Sequence, residues 1–90
     1  MKTILELTVR NHPGVMSHIA GLFARRGFNL DGIFCAPVGD ATESRMWLHV
    51  REDDRLEQVI RQLERLIDVK TVRRADEHER LFEKVAASIL

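Results

Sequence analysis

Between Leu5 and Arg26 the apolar residues change their period. Leu5, Leu7 and Val9 alternate with Glu6, Thr8 and Arg10, the pattern of a half-buried strand. Val15, Ile19, Leu22 and Phe23 then recur at helical spacing, with Met16 and Ala20 widening the stripe. The chain must therefore pass from strand to helix within Asn11-His12-Pro13-Gly14. Proline suits a first helical position, because its missing N–H would be unpaired there. Asn11 or His12 can cap the helix, and Gly14 leaves no side chain over its first turn. Exposed N–H groups and the positive end of the helix dipole then face a small open space, where a carboxylate fits. This segment reads as a binding site for a small acidic or zwitterionic ligand, not as a catalytic centre.

The rest of the chain extends the alternation. The first helix is expected to end at Arg25-Arg26-Gly27, cations followed by glycine. Phe28 to Ala36 reads as a second strand, with Gly32 marking a bulge or a close backbone approach. Pro37 to Glu43 reads as a hairpin loop, and Arg45 to Val50 as a third strand. Asp54-Arg55-Leu56-Glu57 resembles a capping box before the stripe Leu56, Val59, Ile60, Leu63, Leu66 and Ile67. Val69 to Arg73 is a short fourth strand. The order β-α-β-β-α-β predicts an α+β, ferredoxin-like fold, with both helices on one face of a four-stranded antiparallel sheet. Asp76 to Ile89 is expected to form a C-terminal helix, with Leu81, Phe82, Val85 and Ile89 on one side and Asp76 and Glu79 as its capping box. It would dock on the domain or on a partner. The expected organisation is one domain over residues 1–74 and a helical extension over residues 75–90.

Composition narrows the class of function. With 14 basic and 14 acidic residues among 90, the formal net charge is zero, which argues against nucleic acid as the main partner and against a polybasic membrane anchor. No apolar run reaches the length of a membrane span. Met1-Lys2-Thr3 leads straight into the first strand, so no signal peptide is expected. The single cysteine excludes an internal disulfide framework. A cytoplasmic location is the expectation from these features together.

Candidate residues carry competing readings. Asn29 lies just past the first helix, and its amide offers a donor and an acceptor for an amino acid's ammonium and carboxylate. A solvated polar residue at a strand edge is the alternative, and the same holds for Asp31 on the same side. Cys35 lacks a sequence pattern supplying an oriented base, which favours a structural thiol. His12, His18, His49 and His78 are scattered, and none stands at metal-ligand spacing, so no metal site is expected. Trp47 faces away from Met46 and Leu48. It serves either as an interface anchor on an open sheet face or as packing for Phe34 or the C-terminal helix.

Ile4 to Met16, with its Asn-x-Pro-Gly-Val core, the run Gly-Leu-Phe-x-Arg-Arg-Gly-Phe-Asn from Gly21 to Asn29, and Ser44-Arg45-Met46-Trp47 carry a resemblance. They resemble the ACT domains of the small regulatory subunits of acetohydroxyacid synthase, also called acetolactate synthase. The resemblance spans about Ile4 to Arg74, and the tail is similar to the short, isozyme I type. It implies a subunit that is not catalytic alone. Its partner would be a large catalytic subunit holding thiamine diphosphate, flavin adenine dinucleotide and magnesium, which condenses two pyruvates to acetolactate. The small subunit would raise activity and confer feedback inhibition by valine. Two ACT domains would pair as a homodimer and bind valine at their interface, the loop from one chain and the helix and second strand from the other. Carried over by position, Asn11, Gly14 and Asn29 would hold the ligand's polar groups, and Val15, Met16 and Ile33 its side chain. Met16 stands where many relatives have leucine, and His12 occupies a variable position, so it receives no ligand role.

The closest alternative is a free-standing ACT domain sensing an amino acid for another enzyme or a regulator. An acylphosphatase shares the topology, and Arg10-Asn11 supply part of its loop, but a glycine-rich phosphate cradle is lacking. An RNA-binding sheet needs stacking aromatics and a basic surface, and the chain has no tyrosine and no basic excess.

Overall fold

The computed structural model describes residues 2–89; Met1 and Leu90, the outer bounds of the expected domain and extension, lie outside the described residues. The elements are β1 (Lys2–Arg10), α1 (Val15–Arg25), β2 (Leu30–Val38), β3 (Glu43–Arg51), α2 (Leu56–Arg65), β4 (Val69–Arg74), a single 3₁₀ turn (Asp76–His78) and α3 (Glu79–Ile89). The strands form one antiparallel sheet in the order β2-β3-β1-β4. The expected βαββαβ arrangement and C-terminal helix are both present.

One face of the sheet carries the core. Leu5, Leu7 and Val9 of β1 and Met46, Leu48 and Val50 of β3 pack under Val15, Ile19, Leu22 and Phe23 of α1 and Leu56, Val59 and Leu63 of α2. Alternation in the strands and helical spacing in the helices meet on this surface. The opposite face holds Glu6, Trp47 and His49, and α3 lies over part of it. Phe82 rests on Gly32 and stacks at 5.4 Å from the His49 ring. Gly32 stands where the β2–β3 register shifts, so the anticipated bulge and close approach both occur there. Trp47 is packed rather than open. Its ring lies 5.5 Å from Phe34 and 6.2 Å from His78, and its indole N–H donates to Glu6 Oε1 at 2.9 Å.

Several boundaries differ from the sequence expectation, each for a local reason. The strand β2 begins at Leu30, not Phe28, because Phe28 completes the end of α1. Gly27 takes φ +71°, Phe28 N–H donates to Phe23 O and Gly27 N–H to Ala24 O, while the Phe23 and Phe28 rings meet edge to face. Pro37 belongs to β2 opposite Ser44 rather than to the hairpin loop; an edge strand tolerates the missing donor.

Neither expected capping box forms. Before α2, Asp53 rather than Asp54 makes the turn, its carboxylate accepting the Arg55 N–H at 2.7 Å and its carbonyl the Leu56 N–H at 3.1 Å. That backbone bond, opposed by slight burial and reinforced by the Arg55 side chain, holds the Asp53 carboxyl below its usual range. Asp76 does not cap α3, because its carboxylate accepts from the Thr3 hydroxyl and the Ile4 N–H. The stripe of α2 stops before Ile67, which is exposed beyond the helix end. Among the described residues no helix is long and apolar enough to cross a membrane.

Candidate functional site

Beyond β1 the loop is stapled from two sides. Asn11 N–H donates to Thr42 O at 3.1 Å and its Nδ2 donates to Ala41 O at 2.8 Å, which ties the loop to the β2–β3 hairpin. On the other side Arg10 N–H donates to Asp68 O, and His12 Nε2 lies 2.7 Å from Asp68 Oδ1. The second ring nitrogen of His12, Nδ1, lies 3.0 Å from Pro13 O. Both partners are acceptors, so both bonds are made only by the imidazolium. The Asp68 hydrogen bond, then the Pro13 carbonyl, raise the His12 pKa accordingly.

The helix α1 starts bare. The residue before it is Gly14, not a side-chain cap from Asn11, whose Nδ2 is tied to Ala41 O, or from His12, whose ring nitrogens face Pro13 O and Asp68. Pro13 precedes this residue in the turn and does not occupy the first helical position. Gly14 takes φ +88°, its carbonyl accepts the His18 N–H at 2.9 Å, and a Cβ placed on it would meet nothing within 4 Å. The first turn of α1 has no acidic residue. Backbone N–H groups at the positive end of a helix thus open onto free space after the His12–Gly14 turn, a setting that favours a carboxylate.

The remaining candidates divide between this place and a remote one. The Val15 side chain is in the core, so it offers the loop its backbone, whereas Met16 is exposed on the helix surface. Asn29 is exposed, and its Nδ2 donates to Asp31 Oδ1 at 3.2 Å. Asp31 also pairs with Lys2 Nζ at 3.1 Å, and this pairing is the main cause holding its carboxyl below the usual range. Ile33 stands on β2 opposite Leu48, still partly exposed at the sheet edge. The register separates the two groups. Leu30 opposes Val50, which opposes Thr3; Val38 opposes Glu43, which opposes Arg10. Asn29 and the Asn11–Gly14 loop therefore lie at opposite ends of the sheet, roughly 25 Å apart along the strands. A single chain does not bring them together.

His12 and its Asp68 partner were not legible as part of the site, because they are far apart in sequence and meet through the α2–β4 connection. Cys35 is half-buried against the core, a structural setting.

Comparison with known proteins agrees with this fold. A family model described as the AHAS small subunit-like ACT domain matches residues 5–71. The chain is 55% identical over 83 residues to the acetolactate synthase isozyme 1 small subunit of Escherichia coli K12, covering 92% of this chain and 86% of that protein. It is 40% identical over 73 residues to the isozyme 3 small subunit of the same organism, covering 80% of this chain but 45% of that protein. The crystal structure of the acetolactate synthase small subunit from Thermotoga maritima superposes with a TM-score of 0.73 at 36% identity, covering 82% of this chain and 47% of that one. The present chain thus spans most of the isozyme 1 subunit and about half of the two longer proteins. Its fold, its uncapped loop-to-helix entry and these likenesses lead to one assignment: the chain belongs to the family of acetohydroxyacid synthase small-subunit ACT domains.

Proposed function

We propose that the chain is a non-catalytic regulatory subunit of acetolactate synthase, that it raises the activity of a large catalytic subunit, and that it confers feedback inhibition by valine. Thiamine diphosphate, flavin adenine dinucleotide and magnesium belong, on this reading, to the catalytic partner, and the assembly works in the cytoplasm. The names of the relatives support the partner. The effector site is supported by one observation above all: the bare N-terminus of α1 beside Gly14. An amino acid's carboxylate fits those N–H groups, and its small apolar side chain fits the exposed flank of Met16.

The separation of Asn29 from the loop supports a two-chain site. The edge of β2 away from β3 has no strand beside it among the described residues. Antiparallel pairing of β2 with β2 of a second copy sets the start of one strand beside the end of the other. It carries Asn29 of one copy toward the Asn11–Gly14 loop of its partner. Inhibition then works by coupling: valine binds better to the arrangement that holds the enzyme inactive, and the catalytic assembly changes valine affinity by the same factor.

Thermal unfolding of the purified chain with valine, leucine, isoleucine or alanine tests the effector site. A ligand that binds only the native state raises Tm with its concentration, by an amount set by about 2.7 kcal/mol at a hundredfold excess over Kd. A valine-selective rise is expected, and no rise with any of the four would count against the site. With the catalytic subunit present, Asn29→Ala is expected to weaken inhibition while leaving activation intact.

A further inference from the structure

On the face of the sheet opposite α1 and α2, an open groove of about 620 Å³ runs between α3 and the β2 edge. Its walls are apolar: Phe34 from the strand, and Leu81, Val85, Ala86 and Ile89 from the helix. Helix α3 meets the sheet through Phe82, which packs on Gly32 and His49, and through Glu79, whose Oε1 lies 3.6 Å from His49 Nε2. A different stripe, Leu81, Val85 and Ile89 at four-residue steps, is left outward, at 57%, 53% and 77% exposure, together with Phe34 at 58%. These four leave on the order of 400 Å² of apolar surface in one patch, within the range of the largest patch on a typical monomer, a patch that is often functional.

We propose that the outward stripes of two α3 helices pack against one another in the homodimer, so that α3 forms a second layer of the interface beneath the paired β2 strands. This rests on the side-by-side pairing proposed above. Three observations select a second copy as the occupant. The groove opens at β2, the edge strand whose residues line it together with α3. Phe34 lies at the middle of Leu30–Val38, where the two-fold axis of an antiparallel strand pair runs, so the groove of each copy faces its counterpart. The area also matches a need. A stable interface takes about 800 Å² from each partner, and a strand edge supplies mainly backbone hydrogen bonds; the apolar patch supplies about half of that requirement.

The test is sedimentation equilibrium of the full chain and of a Leu81→Glu/Val85→Glu double variant, with circular dichroism to confirm the fold. Both side chains are exposed in the single chain, so the fold is expected to persist; Leu81→Ser/Val85→Ser serves if it does not. The expected result is a wild-type dimer whose dissociation constant rises at least about tenfold in the variant, as for loss of a central apolar anchor. A wild-type dimer with an unchanged constant in the folded variant overturns the role of α3 and leaves the strand pairing standing. A wild-type chain that stays monomeric removes the pairing itself, and this inference with it.

Discussion

His12 shows what a single side chain contributes to this loop. Its two ring nitrogens face a carboxylate and a carbonyl, and satisfying both requires the proton. Its pKa in the folded chain is therefore raised above the ordinary imidazole value. A group of this kind stabilises the fold fully below its unfolded pKa, and that contribution is lost as pH rises through the folded one. The ring is exposed, so the effect on stability is small, and it sits in the loop that leads into α1. Nuclear magnetic resonance titration of the His12 ring is expected to give a midpoint above the ordinary value, falling back in Asp68→Asn. A midpoint at or below the ordinary value in the wild type would show that the pair is not made in solution. Gly14 calls for a different experiment. Because no atom lies within 4 Å of a Cβ there, Gly14→Ala carries only the strain of φ +88°, about 1–2 kcal/mol, readable as a shift in urea midpoint with unchanged slope. A larger loss would mean that the loop rearranges. The residue types at Asn11 and Gly14 were legible from the strand-to-helix change of period. The partners were not: Asn11 is held by Ala41, a turn residue that no local pattern connects to it.

The elements are legible because each carries a period of its own, and their ends are not, where tertiary partners compete for a capping side chain. Asp76 illustrates this: a local reading makes it the cap of α3, whereas Thr3 and Ile4 of β1 take its carboxylate and pin the turn to the sheet. The sequence pattern groups Leu81, Phe82, Val85 and Ile89 on one side of α3, and the structure divides them between Phe82 facing in and Leu81, Val85 and Ile89 facing out. The inward contact is narrow. A Cβ on Gly32 would come within 3.1 Å of the Phe82 ring, tighter than ordinary packing. Gly32→Ala is therefore expected to displace α3 and cost about 1–3 kcal/mol of its local docking, as overpacking does. Hydrogen exchange is expected to quicken in α3 while β1 and β3 stay protected. Uniform quickening across the sheet would instead place Gly32 in the global fold, through the register shift it occupies.

The sheet as a whole decides whether one chain can bind its ligand. Its register holds the Asn11–Gly14 loop and Asn29 at opposite ends, a separation no single-sequence pattern reveals because it follows from strand order. If the effector site is shared, damage to its two halves must complement between chains. Gly14→Asp would place a carboxylate at the start of α1, where it caps the helix and occupies the position meant for the ligand. Asn29→Ala removes the amide of the other half. Each variant alone, as a homodimer, has two damaged sites and is expected to bind valine at least tenfold more weakly, by about 1.4 kcal/mol. After mixing and re-equilibration, random pairing makes half of the dimers mixed, and each mixed dimer holds one site with both halves intact and one with neither. Isothermal titration calorimetry is then expected to recover wild-type affinity at about a quarter of the sites. If mixing restores nothing while the subunits demonstrably exchange, the loop and Asn29 do not share a site, and the bare start of α1 must hold its ligand within one chain.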